Sequence, residues 1–278
     1  MGKNGFGDIA TTPIFQVNGV YAMHIEGQAI VLKNTKFQES ASIVECFTRE
    51  HGVLKGFIRS GKVSQSINDG ALVHIDLKAR LETHLGTLKI EMIKNHLAHI
   101  GFDRLKLKLL KCILNMSVKL LRERDPHANL YDNMISFLDK LCNEVSVIEI
   151  LKAYALLEVK FMEEAGYGLD LSKCVVTNVT KDLFYISPKS GCAVSRETGK
   201  PYDNKLFKMP QFYLKGRESL IHESDYEAVI EALKLNEFFL WKRVFEPNNL
   251  KMPEGRGDLV NLALKSYEET ETFRKASC

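Results

Sequence analysis

A chain of 278 residues can bury a substantial core and most naturally divides into two domains. With 45% hydrophobic and 26% charged residues it has the composition of an ordinary soluble globular protein, which excludes a collagenous, low-complexity or disulfide-scaffold chain. The net charge of +3 and a pI of about 8.4 are too mildly basic to argue for nucleic-acid binding from the total, so any such argument must rest on where the cations fall.

Residues 1–22 are rich in Gly, Thr and Asn and lack strand or helix periodicity. They contain no continuous apolar stretch of the kind a secretory signal needs, and no later run approaches the ~20 apolar residues of a membrane span. The segment is expected to be a disordered extension or the product of an upstream start codon, and the protein is expected to be cytoplasmic with no membrane partner. The six cysteines are scattered, which suits cytosolic thiols better than a disulfide framework.

From Gln28 to Ile93 the apolar residues come in short runs broken by glycine: Ala29 to Leu32, Ser42 to Thr48, Val53 to Ile58, Ala71 to Leu77 and Thr87 to Ile93. Several alternate with period two and the first two are dominated by β-branched residues, which favours strands. Glu50-His51-Gly52 reads as a tight hairpin connection with Gly52 free to take positive φ. Five short strands suggest a small barrel over residues 23–100; the oligonucleotide-binding (OB) fold is one such barrel, and other small barrels fit the same pattern.

Beyond residue 100 the period becomes helical. Leu105, Leu109, Ile113, Met116 and Leu120 mark one buried face, which Asp125-Pro126 ends. A second helix carries Leu130, Met134, Phe137, Leu138 and Leu141. A third starts at Ser146-Val-Ile-Glu149, a capping-box form, and stops at Gly166. Residues 171–210 are punctuated by Pro and Gly and read as an irregular loop module. Helix returns at Ser224 and runs to about Val244, and a last helix covers about 257–269. The fold class is therefore α+β, with a barrel at 23–100 and a mostly helical domain at 101–278.

Cations gather where an OB barrel would meet a strand of nucleic acid. Lys33, Lys36, Arg49, Lys55, Arg59 and Lys62 fall on the first three strands and the loop after them, with Phe57 as a candidate stacking surface. A solvated barrel face with Phe57 in the core accounts for the same residues. On the first helix Arg104 and Lys108 could extend a phosphate track, or could belong to the polar side of an amphipathic helix.

Cys174 and Cys192 are the candidates for a metal in the loop module, each heading a four-residue spacing that Thr177 and Ser195 complete. Hydroxyls do not replace thiolates in a structural zinc site, so no metal is expected. No zinc-protease, nucleophile-elbow or phosphate-loop motif occurs, and no active site or cofactor can be assembled. Arg256-Gly257-Asp258 matches a short adhesion tripeptide, which a cytosolic location makes a chance match.

Several stretches resemble the RecO family of bacterial recombination mediators. They are Ala29-Ile-Val-Leu-Lys33, Glu39-Ser40 and Phe47-Thr-Arg-Glu-His-Gly52 in the barrel, and Gly166-Tyr-Gly-Leu-Asp-Leu-Ser-Lys-Cys174 with Ile186-Ser-Pro-Lys-Ser-Gly191 later. The resemblance implies an amino-terminal five-stranded OB-fold barrel and a helical domain carrying an inserted, here degenerate, zinc-finger-like loop module; some members have a four-cysteine zinc module. It implies no catalytic residue and no cofactor, and a bacterial, nucleoid-associated protein that binds single- and double-stranded DNA and anneals complementary strands. The partners it implies are the tail of single-stranded DNA-binding protein and RecR, with RecA loaded indirectly. The competing expectation is an interaction scaffold whose barrel is passive.

Overall fold

The computed structural model describes residues 15–17, 20–38, 41–59, 67–80, 85–214 and 225–276. The chain forms two compact units, one of residues up to Asn95 together with Glu123–Pro126, the other of His96–Arg122 and the residues from His127 onward. The expected division at 100/101 therefore shifts. A short helix, α1 (His96–Ile100), joins the helical unit, and four residues of the later chain join the barrel.

In the first unit, β1 (Phe15–Val17) forms a short antiparallel ribbon with the start of β2 (Val20–Gln38). Part of the segment expected to lack structure is thus a strand pair, and the remainder of 1–22 lies outside the described residues. The five expected runs correspond to β2, β3 (Ala41–Thr48), β4 (Gly52–Arg59), β5 (Leu72–Ala79), which starts one residue after the expected Ala71, and β6 (Gly86–Lys94). The sheet order is β1-β2-β3-β4-β6-β5, and β5 returns to pair with β2. That return is possible because β2 is 19 residues long: Met23–Ile30 pairs with β5, while Ala29–Gln38 pairs with β3. With β4 and β6 parallel, this is the five-stranded OB barrel.

Alternation fills the barrel. Val73, Ile75, Leu77 and Ala79 of β5 point inward beside Val44, Cys46 and Leu54, while His74, Asp76 and Lys78 face out. Burial, with the neighbouring Glu45 carboxylate adding, pushes the Cys46 thiol up to about 12, so it is an apolar filler. The β3–β4 turn is held by Thr48, whose hydroxyl donates to the Gly52 carbonyl at 2.9 Å and accepts from the His51 N–H at 3.1 Å. Gly52 has φ +66° and lies so close to the Asp125 backbone that a Cβ would overlap it. There Glu123 bridges Val53, and the Arg124 N–H donates to the Val53 carbonyl at 2.9 Å, covering part of the β4 edge.

The second unit continues with α2 (Arg104–Leu120), α3 (Ala128–Cys142) and α4 (Val147–Glu164). The capping box at α4 forms as its sequence predicts, with Ser146 and Glu149 exchanging bonds. Gly166 at φ +80° ends α4 in a Schellman motif, in which the Tyr167 N–H donates to the Met162 carbonyl and the Gly166 N–H to the Glu163 carbonyl. The loop module is more ordered than its punctuation suggested: β7 (Leu183–Ile186) pairs with β8 (Ala193–Ser195) and β9 (Phe207–Lys208), and a single turn, α5 (Arg196–Gly199), follows β8.

Next come α6 (Asp225–Phe239), a π-helical turn at Leu240–Phe245 and α7 (Leu259–Ala276). The expected helix start at Ser224 lies outside the described residues. The last helix extends through Ala276 rather than stopping near 269.

Arg256, matched by sequence to an adhesion tripeptide, is instead wholly buried. Its Nε and Nη2 donate to the Glu158 carboxylate at 2.6 and 3.1 Å, Nη2 also to the Leu233 carbonyl at 2.6 Å, and Nη1 to Glu237 at 3.1 Å. Asn236 joins Glu158 to the Tyr213 hydroxyl, which donates to it at 2.8 Å. Burial pushes the Glu237 carboxyl above its usual range; the nearby guanidinium opposes that shift. Arg256→Met is expected to leave the Glu158 charge buried and unpaired, a cost of about 3–5 kcal/mol. In thermal unfolding this corresponds to a fall in Tm on the order of 10 °C. The double replacement Arg256→Met, Glu158→Leu should recover part of the loss, and a single variant as stable as the parent would contradict the account.

Candidate nucleic-acid interface

Cross-strand register sorts the cations of the barrel into groups that the linear sequence does not show. Lys33, Glu45 and Lys55 stand in one outward row across β2, β3 and β4. Within it the Lys55 ammonium lies 3.6 Å from the Glu45 carboxylate. Lys33 adjoins Asp69, whose carboxyl is raised by burial while the Asn34 N–H and the Lys33 charge lower it. This row is therefore close to neutral. The next outward row is Thr35, Ile43, Phe57 and Thr87.

At the far end of the same strands sit Lys36, Phe37 and Arg59. Arg59 pairs with Ala41, which pairs with Gln38, and a bulge interrupts the ladder between Lys36 and Gln38. The bulge leaves both Lys36 and Phe37 exposed: Phe37 meets Phe57 on the outward side that Arg59 shares, while Lys36 stands next to it in the row of Ser42 and Ile58. Among the described residues neither Lys36 nor Arg59 has an ion-pair partner. Arg49 stands apart from them, in the β3–β4 turn and 3.9 Å from Glu50. The eight residues of β3 put it about 25 Å from Arg59. Lys62 lies outside the described residues.

Across the barrel the outer face of β5 differs. His24 and Asp76 pair at 2.9 Å, His74 and Glu26 at 3.1 Å, and Lys78 and Asp76 at 3.4 Å. Burial would raise the Asp76 carboxyl, but the His24 hydrogen bond and Lys78 hold it below its usual range. That face matches each cation to an acid and presents no continuous positive surface to a phosphate chain.

The α2 cations do other work. The Lys106 ammonium donates to the Asn143 carbonyl at 3.2 Å, and Lys111 pairs with Glu254 at 2.8 Å. Lys108 lies against Gly255, where a Cβ would collide with it, and together with Lys111 keeps the Glu254 carboxyl low. Arg104 is exposed in the first helical turn, where the backbone dipole disfavours a cation. Among the described residues of the expected set, Lys36 and Arg59 on the barrel and Arg104 on the helical unit are exposed without an ion-pair partner, and Phe37 is a neighbour that sequence reading passed over. The missed signal was the period-two continuation Lys33, Thr35, Phe37 beyond the apolar run.

A groove in the helical unit is lined by Leu156, Val159, Leu183 and Leu214, with Lys160 and Arg196 at its polar positions. Those two cations pair with Glu163 at 2.7 Å and Asp182 at 3.2 Å. Among the described residues no helix is long and apolar enough to cross a membrane.

Comparison with known proteins covers both units. The family described as "Recombination protein O N terminal" matches residues 23–96, and "Recombination protein O C terminal" matches residues 102–249. The chain is 34% identical over 249 residues to a protein of Bartonella henselae named DNA repair protein RecO, covering 88% of this chain and 94% of that one. A Rickettsia bellii protein of the same name is 33% identical over 245 residues, covering 87% and 98%. A third, from Rhizobium johnstonii, is 32% identical over 252 residues, covering 89% and 95%.

In the loop module at 171–210 the described residues do not bring Cys174 and Cys192 together with further metal ligands. Among the described residues no group of three or more His, Cys, Asp or Glu gathers in a way that could hold an ion. Cys192 turns its thiol to the Ser190 carbonyl at 3.7 Å. At Cys174 burial raises the thiol, but donation from the Thr177 hydroxyl and from the Ser195, Thr177 and Val176 N–H groups outweighs it and brings the pKa to about 6. The hydroxyl that stands where a ligand would is thus the largest of the influences that lower this thiol. Thr177→Val should move this thiol back toward 9, read as thiolate absorbance against pH with Cys174→Ser as the blank. A folded-state pKa below the unfolded one contributes stability above pH 9 that is lost as pH falls through about 6. The Tm gap between parent and Thr177→Val should therefore be wider at about pH 9 than at about pH 5, and equal gaps would count against the hydrogen-bonded knuckle.

Proposed function

The chain belongs to the RecO family of DNA repair and recombination proteins, and on that premise we propose that it binds single- and double-stranded DNA and anneals complementary strands. On this reading it acts with RecR to help load RecA on DNA coated by single-stranded DNA-binding protein, whose tail it contacts. It turns over no substrate and works in the cytoplasm, at the nucleoid. The observation that carries the reading is the bulged end of β2 and the end of β4, where Lys36 and Arg59, exposed and without ion-pair partners among the described residues, accompany the exposed ring of Phe37 on an OB barrel. Annealing follows from phosphate contacts. Cations reduce the repulsion between two strands, while contacts confined to the backbone leave the base edges to pair.

The groove lined by Leu156, Val159 and Leu214 favours a second reading, a scaffold that binds a protein segment on the helical unit while the barrel stays passive. The two readings separate in one experiment. The full-length protein is titrated against fluorescent single-stranded DNA at several salt concentrations, and the complementary strand, coated with its binding protein, is then added. Salt-sensitive binding with faster duplex formation is the expected result. The double replacement Lys36→Ala, Arg59→Ala should weaken binding and flatten the slope of log affinity against log salt by about 1.4, about 0.7 for each phosphate no longer neutralised. Absence of binding and of annealing at low salt would leave the scaffold.

A further inference from the structure

The barrel keeps its apolar residues inside with few exceptions, and Phe37 is the plainest of them at 56% exposed. A lone exposed apolar side chain is ordinary on a protein surface. Phe37 differs in how it is held. Its ring meets Phe57 edge to face, with centroids 6.3 Å apart and planes at 82°. A perpendicular contact occupies at most one face of Phe37, so the ring is braced in a fixed attitude with a face left bare. Phe57 itself is half-buried, so it supports a neighbour rather than offering its own surface.

The surroundings add charge. Lys36 precedes Phe37 at the bulge, and Arg59 follows Phe57 by two residues on the outward side of β4. A bare aromatic face with an exposed guanidinium on its own side of the sheet and an exposed lysine at the adjoining residue matches a ligand that carries a flat ring and a phosphate on each repeat. Bases in a duplex have their faces covered by their neighbours, whereas those of a single strand are free to stack.

We propose that Phe37 is the stacking platform for an unpaired base, with Phe57 as its brace, and that this contact sets the preference of the barrel for single strands over duplex. The inference rests on the DNA-binding reading above. Lys36 and Arg59 then supply contacts common to both forms of DNA, and Phe37 supplies one that only the single strand can make.

The test uses full-length Phe37→Ala, Phe37→Leu and Phe37→Trp, the last in a Trp241→Phe background so that position 37 holds the one tryptophan of the chain. Oligothymidylate should quench the tryptophan at position 37 and blunt duplex should not. Phe37→Ala and Phe37→Leu should each lower affinity for single strands about tenfold while leaving duplex affinity within about twofold, and Phe37→Trp should retain single-strand binding. Leucine keeps the apolar bulk without the aromatic face, so its failure to rescue is the specific result. Equal losses on both DNA forms, unchanged affinity in Phe37→Ala, rescue by leucine or unquenched emission would overturn the platform. If the Lys36 and Arg59 variants lose binding while the Phe37 variants match the parent, only this inference falls. If the unmodified protein binds no DNA, the reading it rests on falls as well.

Discussion

The helical unit is organised around a charge that could not remain buried alone. Four hydrogen bonds from Arg256 hold the guanidinium against α4 and α6, with both carboxylates and the Leu233 carbonyl as acceptors. Burial by itself would lower the Arg256 pKa; Glu158, reinforced by Glu237, carries it above the usual range instead. The Tyr154 and Tyr213 hydroxyls, raised well above their ordinary values first by burial and then by Glu158, stay protonated beside it. The guanidinium's acceptors come from both helices, so the ion network ties α4 to α6 in addition to their apolar packing. Its arginine lies beyond residue 249, where the family match ends, so the last 29 residues are tied to the centre of the unit.

The barrel follows a different rule. Its described core is an apolar cluster to which β3 adds only the buried hydroxyls of Ser42 and Thr48, so its outer face can be specialised strand by strand without disturbing the core. On the β5 side histidines and lysine meet carboxylates, while at the bulged end of β2 the cations lack such partners among the described residues. What distinguishes the candidate interface is therefore the pairing state of its cations. The number of lysines and arginines on the barrel says less.

Much of the architecture was legible in the residues. Period-two runs located five strands, Gly52 and Gly166 took the positive φ that their turns require, and Ser146 with Glu149 closed the expected capping box. These features depend on neighbours close in sequence, which is why a linear reading finds them. The misses depend on distant partners. β2 was cut short at Leu32 because its outward half is polar, and Phe37 was lost with it. Arg49 and Arg59 read as one cluster until β3 separated them. The burial of Arg256, whose tripeptide reads as a chance match, was not foreseen because its acceptors lie up to 98 residues away.

The bridge between Val53 and Glu123 bears on how the protein is made. Translation completes β4 some 60 residues before the segment that covers its edge. At about 5–20 residues per second that is an interval of roughly 3–12 s. Throughout it the nascent barrel carries an uncovered strand edge, of the kind that pairs with other extended chains. The growing polypeptide therefore keeps this edge open even after β5 and β6 have been made, and a ribosome stalled before Glu123 would display an edge that the finished molecule covers in part.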